Sequence, residues 1–165
     1  MLESPRRDDS SVIELEFETT IRASAESVFA LIVDLRNYDR WLARSSAFHG
    51  TTEISDGPIG VGTTYIESGP TGIRRGKVTE FVRPTRVAFE QPMTMKPAAL
   101  GLVAIRLGHT LTPAEGSVHL RRTLQLSLSG PVRFARRIVK RQFVVENERM
   151  MSALKAFAES EARSS

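Results

Sequence analysis

Residues 21–42, IRASAESVFALIVDLRNYDRWL, constrain the fold more than any other stretch of the chain. Ser24 stands where a helix needs an N-cap, and Glu26 follows in the first turn, where a carboxylate complements the helix dipole. Val28, Leu31, Ile32 and Leu35 then recur at helical spacing, and Phe29 adds a second apolar side. A helix this apolar on most of its surface belongs inside a protein. Residues 34–42 read as a second short helix or turn that presents Tyr38 and the chain's only tryptophan, Trp41, inward. Two short buried helices of this kind plug the end of a larger element, and the rest of the chain supplies one.

That element is a sheet. Residues 12–21 alternate, with Ile13, Leu15, Phe17 and Ile21 on one face and Glu14, Glu16 and Glu18 on the other, as in a half-buried strand. After Ala43 the chain breaks into short runs separated by turn signals at Asp56-Gly-Pro, Gly69-Pro-Thr-Gly72, Arg83-Pro-Thr and Pro113-Ala-Glu-Gly116. Strands are expected near 44–54, 61–68, 73–82, 86–91, 102–112 and 117–128, seven with the first. Residues 92–101, PMTMKPAALG, read as a loop. Beyond Gly130-Pro131 the period becomes helical to about Glu159, with Val139, Phe143, Asn147, Met150, Met151, Leu154, Phe157 and Ala158 on one face. The expected class is α+β: a seven-stranded curved antiparallel sheet around a long C-terminal helix. A disordered tail is expected at 1–11, a single domain at 12–160 and a second tail at 161–165.

With 165 residues, 41% apolar and 25% charged, the chain is large enough to bury a core without covalent staples. It has no cysteine, which excludes disulfides, thiolate metal sites and a cysteine nucleophile. The absence of cysteine also fits a reducing compartment, so a cytoplasmic protein is expected. The polar start predicts no signal peptide, and no apolar run nears the roughly 20 residues a bilayer span requires.

Hairpin register decides which residues face the helix. A four-residue turn at 113–116 pairs Thr112 with Ser117, Leu111 with Val118, His109 with Leu120, Leu107 with Arg122, Ile105 with Leu124 and Val103 with Leu126. This register gathers every apolar member of both strands on one face. It carries His109 and Arg122 inward as diagonal neighbours and sends Arg106, Thr110, His119, Arg121 and Gln125 to solvent. In the preceding hairpins it groups Thr63, Tyr65, Glu67, Arg74, Val78, Glu80, Val82, Val87 and Phe89 inside. Arg75, Lys77, Arg86 and Glu90 then lie outside, together with Ile66, Ile73 and Phe81. A single bulge would invert part of that grouping.

The order strand, paired helices, strands and long terminal helix resembles the helix-grip fold. Ala23-Ser-Ala-Glu-Ser-Val28-Phe29, Asp34-Leu-Arg-Asn-Tyr-Asp-Arg-Trp41, Gly60-Val-Gly-Thr63 and Val78-Thr-Glu-Phe-Val-Arg-Pro84 are similar to motifs of the SRPBCC superfamily. That superfamily includes START-like lipid carriers, pollen-allergen-like proteins and polyketide cyclases. The resemblance covers residues 12–160. It implies an internal cavity for an apolar or amphipathic small molecule and, in some members, cyclase or dehydratase activity. It carries over no catalytic residue.

The residues themselves supply candidates for a cavity: Tyr65, Glu80, Phe89, Leu107, His109, Arg122, Leu124, Phe143, Asn147 and Met151. His109 is the candidate acid–base group, because histidine titrates near neutrality, and the alternative is a hydrogen-bonded core histidine. A buried Arg122 needs an anion, either a ligand carboxylate or an internal partner at Glu80 or Glu67. Tyr65 either orients a ligand carbonyl or sits in the core with its hydroxyl in water. Asn147 bonds either a ligand or a strand carbonyl. Gly60 and Gly62 lack the following helix of a phosphate loop, and three scattered histidines make no metal motif, so no cofactor or metal is expected.

One further feature is a run of cations, Arg133, Arg136, Arg137, Lys140 and Arg141, with no acid between Gly130 and Val145. Interleaved with Val132, Phe134, Ile138 and Val139, it makes a basic amphipathic helix start that opposes the helix dipole. Anionic lipid or an acidic protein would complement it; a solvated charge run is the plainer reading. Nucleic acid ranks last, for want of an aromatic stacking platform.

Overall fold

The computed structural model describes residues 11–165, so the tail expected over 1–11 lies almost wholly outside the described residues. The chain runs β1 (Val12–Ile21), α1 (Ala25–Val33), a 3-10 helix (Leu35–Arg40), β2 (Thr51–Thr52), β3 (Thr64–Gly69), β4 (Gly72–Val82) and β5 (Arg86–Glu90). It continues through β6 (Met93–Met95), β7 (Leu102–Ala114), β8 (Ser117–Ser129), a 3-10 turn (Pro131–Ala135) and α2 (Arg136–Ser164). The strands form one antiparallel sheet ordered β1-β8-β7-β5-β4-β3-β2, with the short β6 bridging β4 and β7 where β5 ends. Apolar side chains of the inner sheet face, α1 and α2 form one buried core.

The first helix forms as its sequence dictates. Ser24 adopts an extended backbone and its hydroxyl accepts from the Ser27 amide at 3.1 Å. Val28 and Phe29 are fully buried. Tyr38 and Trp41 turn inward and meet edge-to-face at 5.1 Å, and the Tyr38 hydroxyl donates to the Ile32 carbonyl. The end of the sheet is thereby stoppered by buried side chains.

Several details depart from the sequence pattern. The sheet has eight strands, because the predicted loop at 92–101 contributes β6. The strand expected over 44–54 shrinks to Thr51–Thr52. The helix α2 runs to Ser164, through residues expected to be a tail, and so completes its last turns with exposed polar side chains.

The β7–β8 turn is tighter than the proline suggests. Pro113 and Ala114 stay in the ladder opposite Val118 and Ser117, leaving a two-residue turn at Glu115-Gly116. Gly116 takes φ +67°, a left-handed conformation that glycine adopts without steric cost. The register therefore slips two residues from expectation. Leu107 pairs Leu124, and His109 lies directly opposite Arg122 rather than diagonal to it. A slip of two leaves every side chain on its predicted face.

In β4 a bulge between Val78 and Glu80 does what a slip of two cannot. It turns Phe81 inward, edge-on to Phe29 at 5.3 Å, and Val82 outward. Glu80 goes to solvent with Val82 and pairs with Arg86 at 3.1 Å.

Candidate functional site

The inner sheet face and α2 do not fill the space between them. A cavity of about 90 Å³, counted as space open to the centre of a water molecule, remains there. Its walls are mostly apolar: Leu42, Phe48, Phe89, Met93, Val103, Ile105, Leu107, Leu124, Val139 and Phe143. Polar groups enter it from a few positions, chiefly Tyr65, Glu67, Arg74, Gln91, His109, Arg122 and Asn147.

Arg122 is the centre of that polar set. The ladder places it between Phe17 of β1 and His109 of β7. Its Nε donates to Asn147 Oδ1 at 2.8 Å, and its Nη1 donates to His109 Nε2 at 2.6 Å. Asn147 is itself fixed by donating through Nδ2 to the Phe143 carbonyl at 2.8 Å. No carboxylate among the described residues lies within ion-pair distance of the guanidinium, whose Nη2 donates to no protein group there. Burial pulls the Arg122 pKa down to about 10, with Tyr38 and Glu67 opposing the fall, so the group remains a cation at neutral pH. A buried positive charge with no direct ion pair thus borders an apolar cavity.

The same hydrogen bond fixes the state of His109. Arginine only donates, so Nε2 must accept and the ring proton must sit on Nδ1. That Nδ1 is buried without a partner. Burial and the adjacent guanidinium hold the His109 pKa well below 6.5. In this arrangement the His109 lone pair is occupied by Arg122.

Tyr65 stands over Gly76, its cross-strand partner: a Cβ on Gly76 would lie 2.1 Å from the ring. The Tyr65 hydroxyl accepts from Gln91 Nε2 at 2.7 Å inside the protein rather than reaching water. Beside it, Glu67 faces Arg74 across the β3–β4 ladder at 3.5 Å. Burial raises the Glu67 pKa despite Arg74, which opposes it. At the rim, Glu146 of α2 accepts from Ser45 at 2.9 Å and from Arg149 at 2.6 Å, tying the helix to the loop after Trp41.

Of the ten cavity residues expected from sequence, eight line this space: Tyr65, Phe89, Leu107, His109, Arg122, Leu124, Phe143 and Asn147. Glu80 does not, because the bulge turns it out; it is no partner for Arg122. Met151 is buried in the core but off the cavity, since Phe143, Asn147 and Met150 at i, i+4 and i+7 share the facing side and Met151 is rotated about 100° further. Asn147 reaches no strand carbonyl; its Oδ1 accepts from the Arg122 side chain. Gln91 escaped notice, although it follows Val87 and Phe89 at the two-residue period of one strand face. In the basic run, Arg136 is set apart from the rest: its guanidinium donates to the Val12 carbonyl at 2.8 Å. Among the described residues, no helix is long and apolar enough to cross a membrane, and no group of His, Asp and Glu could hold a metal ion.

A sheet closed on a long helix around a hollow, with plug helices at one end, defines a helix-grip cavity protein. The chain belongs to the polyketide cyclase/dehydrase and lipid transport family of the SRPBCC superfamily, whose model matches residues 12–159. No curated protein sequence matches the chain. Solved structures show the same fold at low identity. A Thalictrum norcoclaurine synthase variant in complex with a transition-state analogue is 14% identical, with TM-score 0.67 over 92% of this chain and 96% of that one. Ara h 8.0201 is 16% identical, with TM-score 0.61 over 90% of this chain and 99% of that one. The di-domain aromatase/cyclase StfQ of steffimycin biosynthesis is 11% identical, with TM-score 0.74 over 93% of this chain and 53% of StfQ.

Proposed function

We propose that this protein binds a compact apolar molecule bearing a carboxylate or similar acceptor, with the acceptor on Arg122 and the apolar body against Leu107, Leu124, Phe89 and Phe143. One observation carries the reading: a cationic guanidinium at the wall of an apolar cavity with no carboxylate in ion-pair contact, Glu67 acting on it only at a distance. An unpaired buried charge is costly, and an anionic ligand relieves that cost. The family and its neighbours support a ligand-binding or cyclase-type function. The state of His109 favours binding over acid–base catalysis at that residue, because Arg122 occupies its only lone pair. The cavity is small, about 90 Å³, which suits a compact ligand better than a long lipid.

Native mass spectrometry of the protein as purified, followed by organic extraction, is expected to release such a molecule. Ligand-free protein should be stabilised against heat by aromatic or short-chain carboxylates, and Arg122→Leu should weaken that binding about ten- to a hundredfold. No retained ligand together with no stabilisation by any carboxylate, or equal stabilisation of both proteins, would sink the reading.

A further inference from the structure

The first turns of α2 carry a surface that the cavity does not use. Phe134, in the 3-10 turn that leads into α2, is 82% exposed, and Ile138 and Val145 on α2 are 61% and 58% exposed, while the neighbouring Val132 and Val139 are buried. Single exposed apolar side chains are ordinary. On α2, Ile138, Arg141 and Val145 follow at spacings of three and four that share a face. The turn Ala98–Leu100, with Leu100 and Leu102 part-exposed, lies beside the turn Pro131–Ala135.

The charges on this surface are all of one sign. Arg133, Arg137, Lys140 and Arg141 are exposed, and none forms an ion pair among the described residues. The Arg133 guanidinium sits 4.8 Å from the centre of the Phe134 ring. The first turn of α2 has no acidic residue and no side-chain cap, so these cations crowd the positive end of the helix dipole without compensation. An external anion would relieve that unfavourable placement.

We infer that this face docks on a membrane surface bearing anionic lipid, with Phe134 and Ile138 entering among the head groups and Arg133, Arg137 and Arg141 meeting lipid phosphates. Ile138 and Val145 share a face of α2 with the unpaired Arg137 and Arg141, while Lys140 projects from the other side, and apolar side chains beside cations match an interface between charge and hydrocarbon. On its other side the same segment lines the cavity through Val139 and Phe143, so docking sets the cavity wall against the bilayer. The inference is independent of the cavity reading, because docking is measured with no cavity ligand present.

The test is co-sedimentation of the full chain with vesicles of phosphatidylcholine alone or mixed with phosphatidylglycerol. The protein is expected to bind only the anionic vesicles, less tightly as salt rises. Reversing Arg133, Arg137 and Arg141 to Glu should lower binding at least about a hundredfold. F134S/I138S, which leaves the net charge unchanged, should lower it about tenfold with an unaltered melting temperature. No binding of the unmodified protein to anionic vesicles would overturn the inference. So would unchanged binding by F134S/I138S, which marks simple electrostatic adsorption. A concentration-dependent dimer in sedimentation velocity, lost in F134S/I138S and competing with vesicles, would assign the face to a second copy instead.

Discussion

Arg122 keeps its charge inside the molecule because the fold gives it two neutral acceptors, His109 Nε2 and Asn147 Oδ1, in place of a carboxylate. The arrangement makes His109 sensitive to acid. Its folded pKa is held well below 6.5 by burial and by the guanidinium, whereas the unfolded chain takes up a proton near 6.5. The unfolded state therefore binds more protons as pH falls below 6.5, and stability contributed by neutral His109 is lost in that direction. The slope is at most about 1.4 kcal/mol per pH unit, and it ends at the depressed folded value. In His109→Gln the amide oxygen still accepts from Arg122 but nothing titrates. Melting temperatures measured downward from pH 7 should fall less steeply in the variant. Identical acid limbs in the two proteins would show that His109 is not held neutral.

At the level of elements, the β3–β4–β5 region shows how local backbone decisions set the cavity lining. The bulge at Thr79 swaps the faces of Glu80, Phe81 and Val82, and nothing in their alternation announces it. The β7–β8 ladder behaved differently: its turn was misjudged by two residues, yet the faces survived because a strand's period is two. Those two cases explain why Arg122, His109, Leu107 and Leu124 were legible in the sequence and Glu80 was misplaced. The same parity would have found Gln91, two residues beyond Phe89. Strand β6, three residues between prolines, is too short to carry a period at all. Gly76 gives the element-scale prediction. A Cβ there would stand 2.1 Å from the Tyr65 ring, so Gly76→Ala must displace Tyr65 from Gln91. Chemical denaturation should show a loss of about 1–3 kcal/mol. In a Tyr65→Leu background the same substitution should cost much less, and additive losses would mean that the ring does not need the gap.

For the whole molecule, stability and hollowness compete. The sheet, the plug helices and α2 bury one continuous core, and the cavity is the part of that core left unfilled. Unfilled apolar space costs packing energy on the order of 20 cal/mol per Å² of its surface, a cost a binding protein keeps because filling it would end binding. Val139 tests this directly. It is buried on α2, lines the cavity and stands one turn before Phe143, so a larger side chain there grows into the hollow rather than into a neighbour. Val139→Phe should raise the melting temperature, or at least not lower it, while reducing binding of the same carboxylates about tenfold or more. The two readouts separate the cases. A lowered melting temperature with binding intact would mean that the side chain is expelled and the space is too small to accept even a ring. A raised melting temperature with binding lost identifies the cavity as the binding site and ties the molecule's hollowness to its function.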